Sequence, residues 1–220
     1  RAPMRLADEA ALVRALAEEA GEPVHLVGHS YGGAVALMAA LHFPEAIASL
    51  TLIEPVAFFL LRARSASDHA LFTEITGVGD RIAKGLLSGD YRTALEQFVD
   101  YWSGAGTWKA MAPEAQDTLC RRIPAIALNF ATTTGERTPL RAAETLRVPT
   151  LLLHGSRTRP ITRRIVERLT WTLPNATLRE IEGAGHMLPL THPVPVAQAV
   201  GDHVIGRESA VVHFLERCAA

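Results

Sequence analysis

Several things are scarce in this chain, and each scarcity excludes something. Lysine occurs twice, as Lys84 and Lys109, and cysteine twice, as Cys120 and Cys218. Arginine therefore carries almost all the positive charge, which reads as genome composition rather than function. The formal net charge is -1, so nothing in the charge balance points to a nucleic acid partner. Two cysteines can pair but make no disulfide framework, and a reducing, cytoplasmic setting is expected. No run approaches the roughly 20 apolar residues of a membrane helix. The opening Arg1-Ala-Pro-Met-Arg5 leads straight into a helical pattern without the features of a signal peptide. No pair of histidines has the spacing of a metal site on a helix. Neither metal nor cofactor is expected, and the partner expected is a small-molecule substrate, with no membrane contact. The oligomeric state stays open. Repeats and low-complexity segments are lacking as well.

What is present suffices for one domain with a core and a small inserted lobe: 220 residues, 48% of them hydrophobic. Leu6, Ala10, Val13, Ala17 and Ala20 follow helical spacing, and Gly21 and Pro23 end that helix. Val24 to Val27 is an apolar run of strand type, and Ala34 to Leu41 is an apolar, uncharged helix stopped by Pro44. Ala48 to Ile53 reads as a second strand, parallel to the first and covered on both faces. Strand signals then vanish over 55–146. Helices are expected from Asp90, from Pro113, after Pro124 (Ala125 to Phe130) and over Thr138 to Leu146. The sheet resumes at Thr150 to His154, followed by a helix over Ile161 to Trp171 and a strand over Ala176 to Ile181. Two terminal helices are expected, Pro193 to Val204 and Ser209 to Arg217.

The informative stretch joins the first strand to the uncharged helix: Gly28-His29-Ser30-Tyr31-Gly32. Gly-x-Ser-x-Gly alone is a weak pattern. Between a strand and a buried helix it acquires a physical meaning. The backbone doubles back there, small residues at 28 and 32 allow it, and the Ser30 hydroxyl is left standing above the sheet. The amides that follow open a helix, where partial positive charge can receive an oxyanion. A serine hydroxyl needs a base, and histidine exchanges protons near neutral pH. Nine histidines compete. His186 stands in a Gly-rich loop after the last strand, in Gly183-Ala184-Gly185-His186, which can carry its ring over the sheet edge.

These residues resemble the nucleophile elbow and histidine loop of the α/β-hydrolases. The resemblance implies an α/β fold: a partial α/β-hydrolase parallel sheet flanked by helices, with an inserted helical cap. Its parts would be a core piece with the elbow over 1–54, the cap over 55–146, and a core piece with the catalytic histidine over 147–220. The family places further strands before its elbow, and residues 1–22 have no room for them. The resemblance therefore covers the later part of the fold, the chain is expected to be a fragment (the alternative being a protein that has lost its N-terminal half-sheet), and one oxyanion donor is expected outside it. The Tyr31 amide would be the other. As a fragment the chain is expected to be catalytically weak and to associate through its first strand. His29, Phe58, Trp102 and Trp108 are candidates for the substrate pocket, with the lobe's own core as the plainer role for each aromatic.

One position departs from the family. An aspartate is expected at 158, and Thr158 stands there. A threonine cannot stabilise an imidazolium by charge. Glu54, at the end of the strand after the elbow, is the carboxylate placed to do so, and that position resembles the acid of haloalkane dehalogenases. The catalytic set expected is thus Ser30, His186 and Glu54. The activity implied is hydrolysis of small apolar carboxylic esters. Carbon–carbon bond hydrolysis of ring-cleavage products is the alternative, and Arg157, Arg159, Arg163 and Arg164 would suit its acidic substrate. A non-catalytic binding domain is the third reading.

Overall fold

Helix α1 (Leu6–Ala20) ends on Gly21 and is followed by β1 (Val24–His29), α2 (Tyr31–His42) and β2 (Ile47–Ile53). This is a computed structural model that describes residues 5–62 and 65–218, with side chains as far as residue 206. Four helices then intervene before the sheet resumes: α3 (Ala66–Ser88), α4 (Tyr91–Ser103), α5 (Thr107–Ala110) and α6 (Pro113–Gly135). After them come β3 (Thr150–Gly155), α7 (Pro160–Thr172), β4 (Ala176–Ile181), α8 (Leu188–Thr191) and α9 (Pro193–Cys218). The four strands lie side by side in chain order, all parallel.

Side chains alternate across a strand, and the two faces of this sheet bury different sets. Leu50, Leu52 and Leu152 join Leu37 and Met38 of α2 and the aliphatic face of α7. Ile53, Leu151 and Leu153 point the other way and pack with Ile181, Leu188 and Val196. Helix α2 is buried from Gly33 through Ala40, which is why it carries no charge. The strand β1 is less covered than its apolar sequence implies. Among the described residues it pairs with β2 alone, and Val27 is 45% exposed. Cys120 is a free thiol, while the side chain of Cys218 lies outside the described residues. No helix among the described residues is long and apolar enough to cross a membrane.

The inserted segment is more helical than expected. The sequence pattern gives no helix over 66–88, yet α3 fills it, capped by Ser65, whose hydroxyl accepts from the Asp68 amide at 3.1 Å. Pro124 does not restart the chain: α6 runs through it, with Ile123 wholly buried beside it. The segment Thr138 to Leu146 holds only a 3-10 turn, Leu140–Thr145. The two terminal helices expected are one continuous α9.

Candidate active site

The carboxyl ends of the parallel strands are level, and that is where parallel α/β sheets bind ligands. His29 aligns with Ile53, and Ile53 with Leu153. The residues at or just past these ends, Ser30, Glu54 and Gly155, are therefore neighbours in space although far apart in sequence.

Ser30 caps α2 at φ 55° and ψ -119°, a backbone region few side chains occupy. Three amides hold its carbonyl there: Gly33 at 3.0 Å, Ala34 at 3.2 Å and Val56 at 3.1 Å. Its own amide donates to the Ile53 carbonyl at 3.0 Å. The glycines that permit the turn are Gly28 and Gly33 rather than Gly28 and Gly32. A Cβ on Gly28 would lie 2.4 Å from the Gly32 oxygen, and one on Gly33 would lie 3.0 Å from Pro55. One on Gly32 would meet nothing within 4 Å.

The ring of His186 is 4% exposed and lies between two oxygens. Its Nε2 is 3.0 Å from Ser30 Oγ and its Nδ1 is 3.1 Å from Glu54 Oε2. An ionised carboxylate only accepts, so the proton belongs on Nδ1 and Nε2 is free to accept from the serine. His29 donates from Nε2 to the backbone carbonyl of His186 at 2.8 Å and so ties the histidine loop to the elbow. Burial holds the His29 imidazole below its ordinary pKa, the bond to that carbonyl opposing it, so the ring tends to neutrality. Trp102 covers the other side of His186, with ring centroids 4.2 Å apart.

Glu54 is fully buried and, like Ser30, has a positive φ, 47°. Its Oε1 accepts the Gly155 amide at 2.9 Å, and its Oε2 accepts the Thr158 hydroxyl as well as facing His186. Burial pushes its carboxyl up, but donors from His186, Thr158 and Gly155 together hold it below the ordinary carboxylate range. Thr158 thus has a function that its sequence position concealed. It supplies no charge to His186 and instead donates to the carboxylate that does. The Gly155 amide is a second partner that no side-chain pattern signals.

A cavity of about 990 Å³ opens over these groups. His29, Ser30, Tyr31, Phe58, Trp102 and His186 all line it. Trp108 does not, and the expectation placing it in the pocket is corrected: it is 5% exposed and packs inside the lobe, its amide donating to Asp100 at 2.8 Å. Phe130 was not singled out from sequence, yet it lines the cavity and stacks on Phe58, centroids 6.1 Å apart. Nothing local distinguishes it from any apolar helix residue. Three arginines of the cluster are engaged by the protein itself. Arg159 pairs with Glu74 at 2.9 Å and lies 4.0 Å over the Tyr101 ring, Arg164 pairs with Asp68 at 2.8 Å, and Arg163 donates to the Ser156 carbonyl at 2.9 Å.

Comparison with known proteins agrees with this architecture. A family model described as alpha/beta hydrolase family matches residues 1–199. Comparison with curated protein sequences yields no match. Among solved structures, a hydrolase from Pseudomonas aeruginosa is 22% identical with a TM-score of 0.67, over 92% of this chain and 72% of that one. An alpha/beta hydrolase from a Medee basin deep-sea metagenome library is 20% identical with a TM-score of 0.65, over 89% and 70%. A 2-hydroxy-6-oxo-6-phenylhexa-2,4-dienoate hydrolase from Rhodococcus is 19% identical with a TM-score of 0.59, over 83% and 64%. At these identities the likeness is one of fold. With the family model spanning all but the last residues, the chain belongs to the alpha/beta hydrolase family.

Proposed function

We propose that the chain is a serine hydrolase of apolar carboxylic esters, with the inserted helices acting as a cap over its site. The observation that carries this reading is the unbroken relay from Ser30 Oγ through the His186 ring to Glu54, with links of 3.0 and 3.1 Å. Ser30 Oγ attacks the ester carbonyl as its proton passes to His186 Nε2. Glu54 keeps the ring in the right tautomer and offsets its charge. The Tyr31 amide, at the start of α2, donates to the oxyanion. His186 then returns the proton to the departing alkoxide, leaving an acyl-serine. A water repeats the sequence, giving up a proton to His186 and releasing the acid and the free serine.

The same relay would serve carbon–carbon cleavage, and one similar structure is named for a substrate of that kind. The ester reading is favoured because the cavity walls are mostly apolar and none of Arg157, Arg159, Arg163 and Arg164 lines them, Arg122 being the one arginine that does. A fluorophosphonate probe and p-nitrophenyl butyrate test the proposal together. The chain should label at Ser30 and turn the ester over, and Ser30→Ala should abolish labelling and lower turnover at least ~10³-fold. A chain that does not label, with turnover equal to that of Ser30→Ala, is a binding domain and not a hydrolase.

A further inference from the structure

The cavity is far larger than a short ester needs. At about 990 Å³ it stands at the upper end of the roughly 300–1,000 Å³ usual for small-molecule sites. It is also elongated. One face of α6 lines it from Glu114 through Leu119, Arg122, Ile126 and Asn129 to Phe130. Those residues recur at helical spacing, and Glu114 and Phe130 are separated by about 24 Å of helix at ~1.5 Å per residue. The reactive end is fixed by stacking. Phe130 lies against Phe58, Phe58 against Trp102 at 6.4 Å, and Trp102 against His186. The lining therefore runs from Ser30 and His186 past Trp102 and Phe58 to Phe130, and along α6 toward its beginning. Phe98, Val99, Met111, Leu119 and Ile126 give the cavity apolar walls. Besides the histidines, the charged residues lining it are Glu114 and Arg122, both exposed on α6.

We infer that the ester carries one long, unbranched apolar arm, of medium- to long-chain fatty length, lying along α6 with its reactive carbonyl at Ser30. The inference rests on the hydrolase reading for its chemistry but not for its geometry. A short acyl group would leave most of the groove filled with water against apolar walls, whereas each added methylene buries apolar area. Burial of a methylene contributes up to about a fourfold gain in kcat/KM.

Two ester series in the intact chain test this, one of p-nitrophenyl esters varying the acyl arm (butyrate, octanoate, dodecanoate) and one of alkyl butyrates varying the alcohol arm, read by the acid released. In at least one series kcat/KM should rise by tens- to hundreds-fold from the shortest member to the medium chains. Ala125→Trp, which puts an indole into the groove between Phe130 and Arg122, should lower the dodecanoate-to-butyrate ratio at least tenfold, and Leu119→Trp serves if that variant does not fold. Ratios that are flat or that fall with length in both series, with Ser30 still labelled by fluorophosphonate, overturn the long arm and leave the hydrolase standing. If Ser30 does not label, the groove is read by binding instead. Trp102 fluorescence in Ser30→Ala should then respond to methyl dodecanoate at concentrations at least tenfold below those needed for methyl butyrate, and equal concentrations overturn the inference.

Discussion

Ser30 and Glu54 are the two non-glycine residues among those described whose φ is positive, 55° and 47°. Such conformations cost on the order of 1–3 kcal/mol each and persist where surrounding bonds over-determine them. Here the bonds are visible: three amides on the Ser30 carbonyl, and the Gly155 amide with the Thr158 hydroxyl on the Glu54 carboxylate. Glu54→Gln keeps the shape but removes the charge facing His186, and kcat should fall by about 10²- to 10⁴-fold. Thr158→Val removes one donor to an ionised group, a loss on the order of tenfold. It should also raise the pH at which Glu54 takes up its proton, since a bond favouring the charged form has gone. A pH–rate profile of both variants reads this, and a Thr158→Val profile superimposable on that of the wild type would refute the role given to Thr158. The sequence made Ser30, His186 and Glu54 legible because each sits at a strand end with a turn or loop that has few other uses. It showed Thr158 only as a departure from a pattern, since a hydroxyl donor to a carboxylate has no spacing rule of its own.

At the scale of elements, the lobe and the sheet are tied by Asp68. It lies in the first turn of α3, wholly buried, and bonds Arg164 at 2.8 Å and also Arg168, both on α7. Burial raises its carboxyl, but the two guanidinium groups and Ser65 outweigh that and hold it below its ordinary 3.8. Asp68→Asn leaves two cations facing a neutral amide. Loss of one partner from a buried pair costs about 3–5 kcal/mol, and about 2–3 is expected here because the arginines keep some contact with water. The sign of the pH effect follows from the depressed pKa. The unfolded state binds the proton more readily, so the contribution is complete above 3.8 and is lost as pH falls through the lower folded value. Urea melts from neutral pH to pH 3 should show stability falling at the acid end in the wild type, with a shallower fall in Asp68→Asn. Helix α3 itself was illegible in sequence. It carries Gly77, Gly79 and Gly85, and a Cβ on Gly85 would lie 2.3 Å from that of Ala94, so close packing on α4 selects glycine inside this helix. Pro124 misled for the same reason: packing around Ile123 outweighs the bond a proline removes.

At the scale of the whole molecule, the two edges of the sheet are built differently. On β4 two of the four exposed positions carry charge, Arg179 paired with Asp202 at 2.9 Å and Glu180 beside it, following the exposed Leu178, and charged side chains keep an edge from pairing with other chains. On β1 the run Val24-His25-Leu26-Val27 has no Asp, Glu, Lys or Arg, and Val27 is 45% exposed. The α1 helix of the same unit leaves Leu12 and Leu16 each 67% exposed. An edge with apolar side chains and no gatekeeping charge templates strand addition. The 220-residue chain should therefore associate as its concentration rises, seen in sedimentation velocity as a growing dimer or larger species. Val27→Lys should suppress this, because its charge faces solvent in the monomer and must be desolvated when another strand docks. The substitution is at an exposed position, so the folded monomer should change by no more than about 0.5 kcal/mol. A chain that sediments as a monomer at every concentration, with and without Val27→Lys, would show that the β1 edge is inert and that apolar sequence alone does not make a strand adhesive.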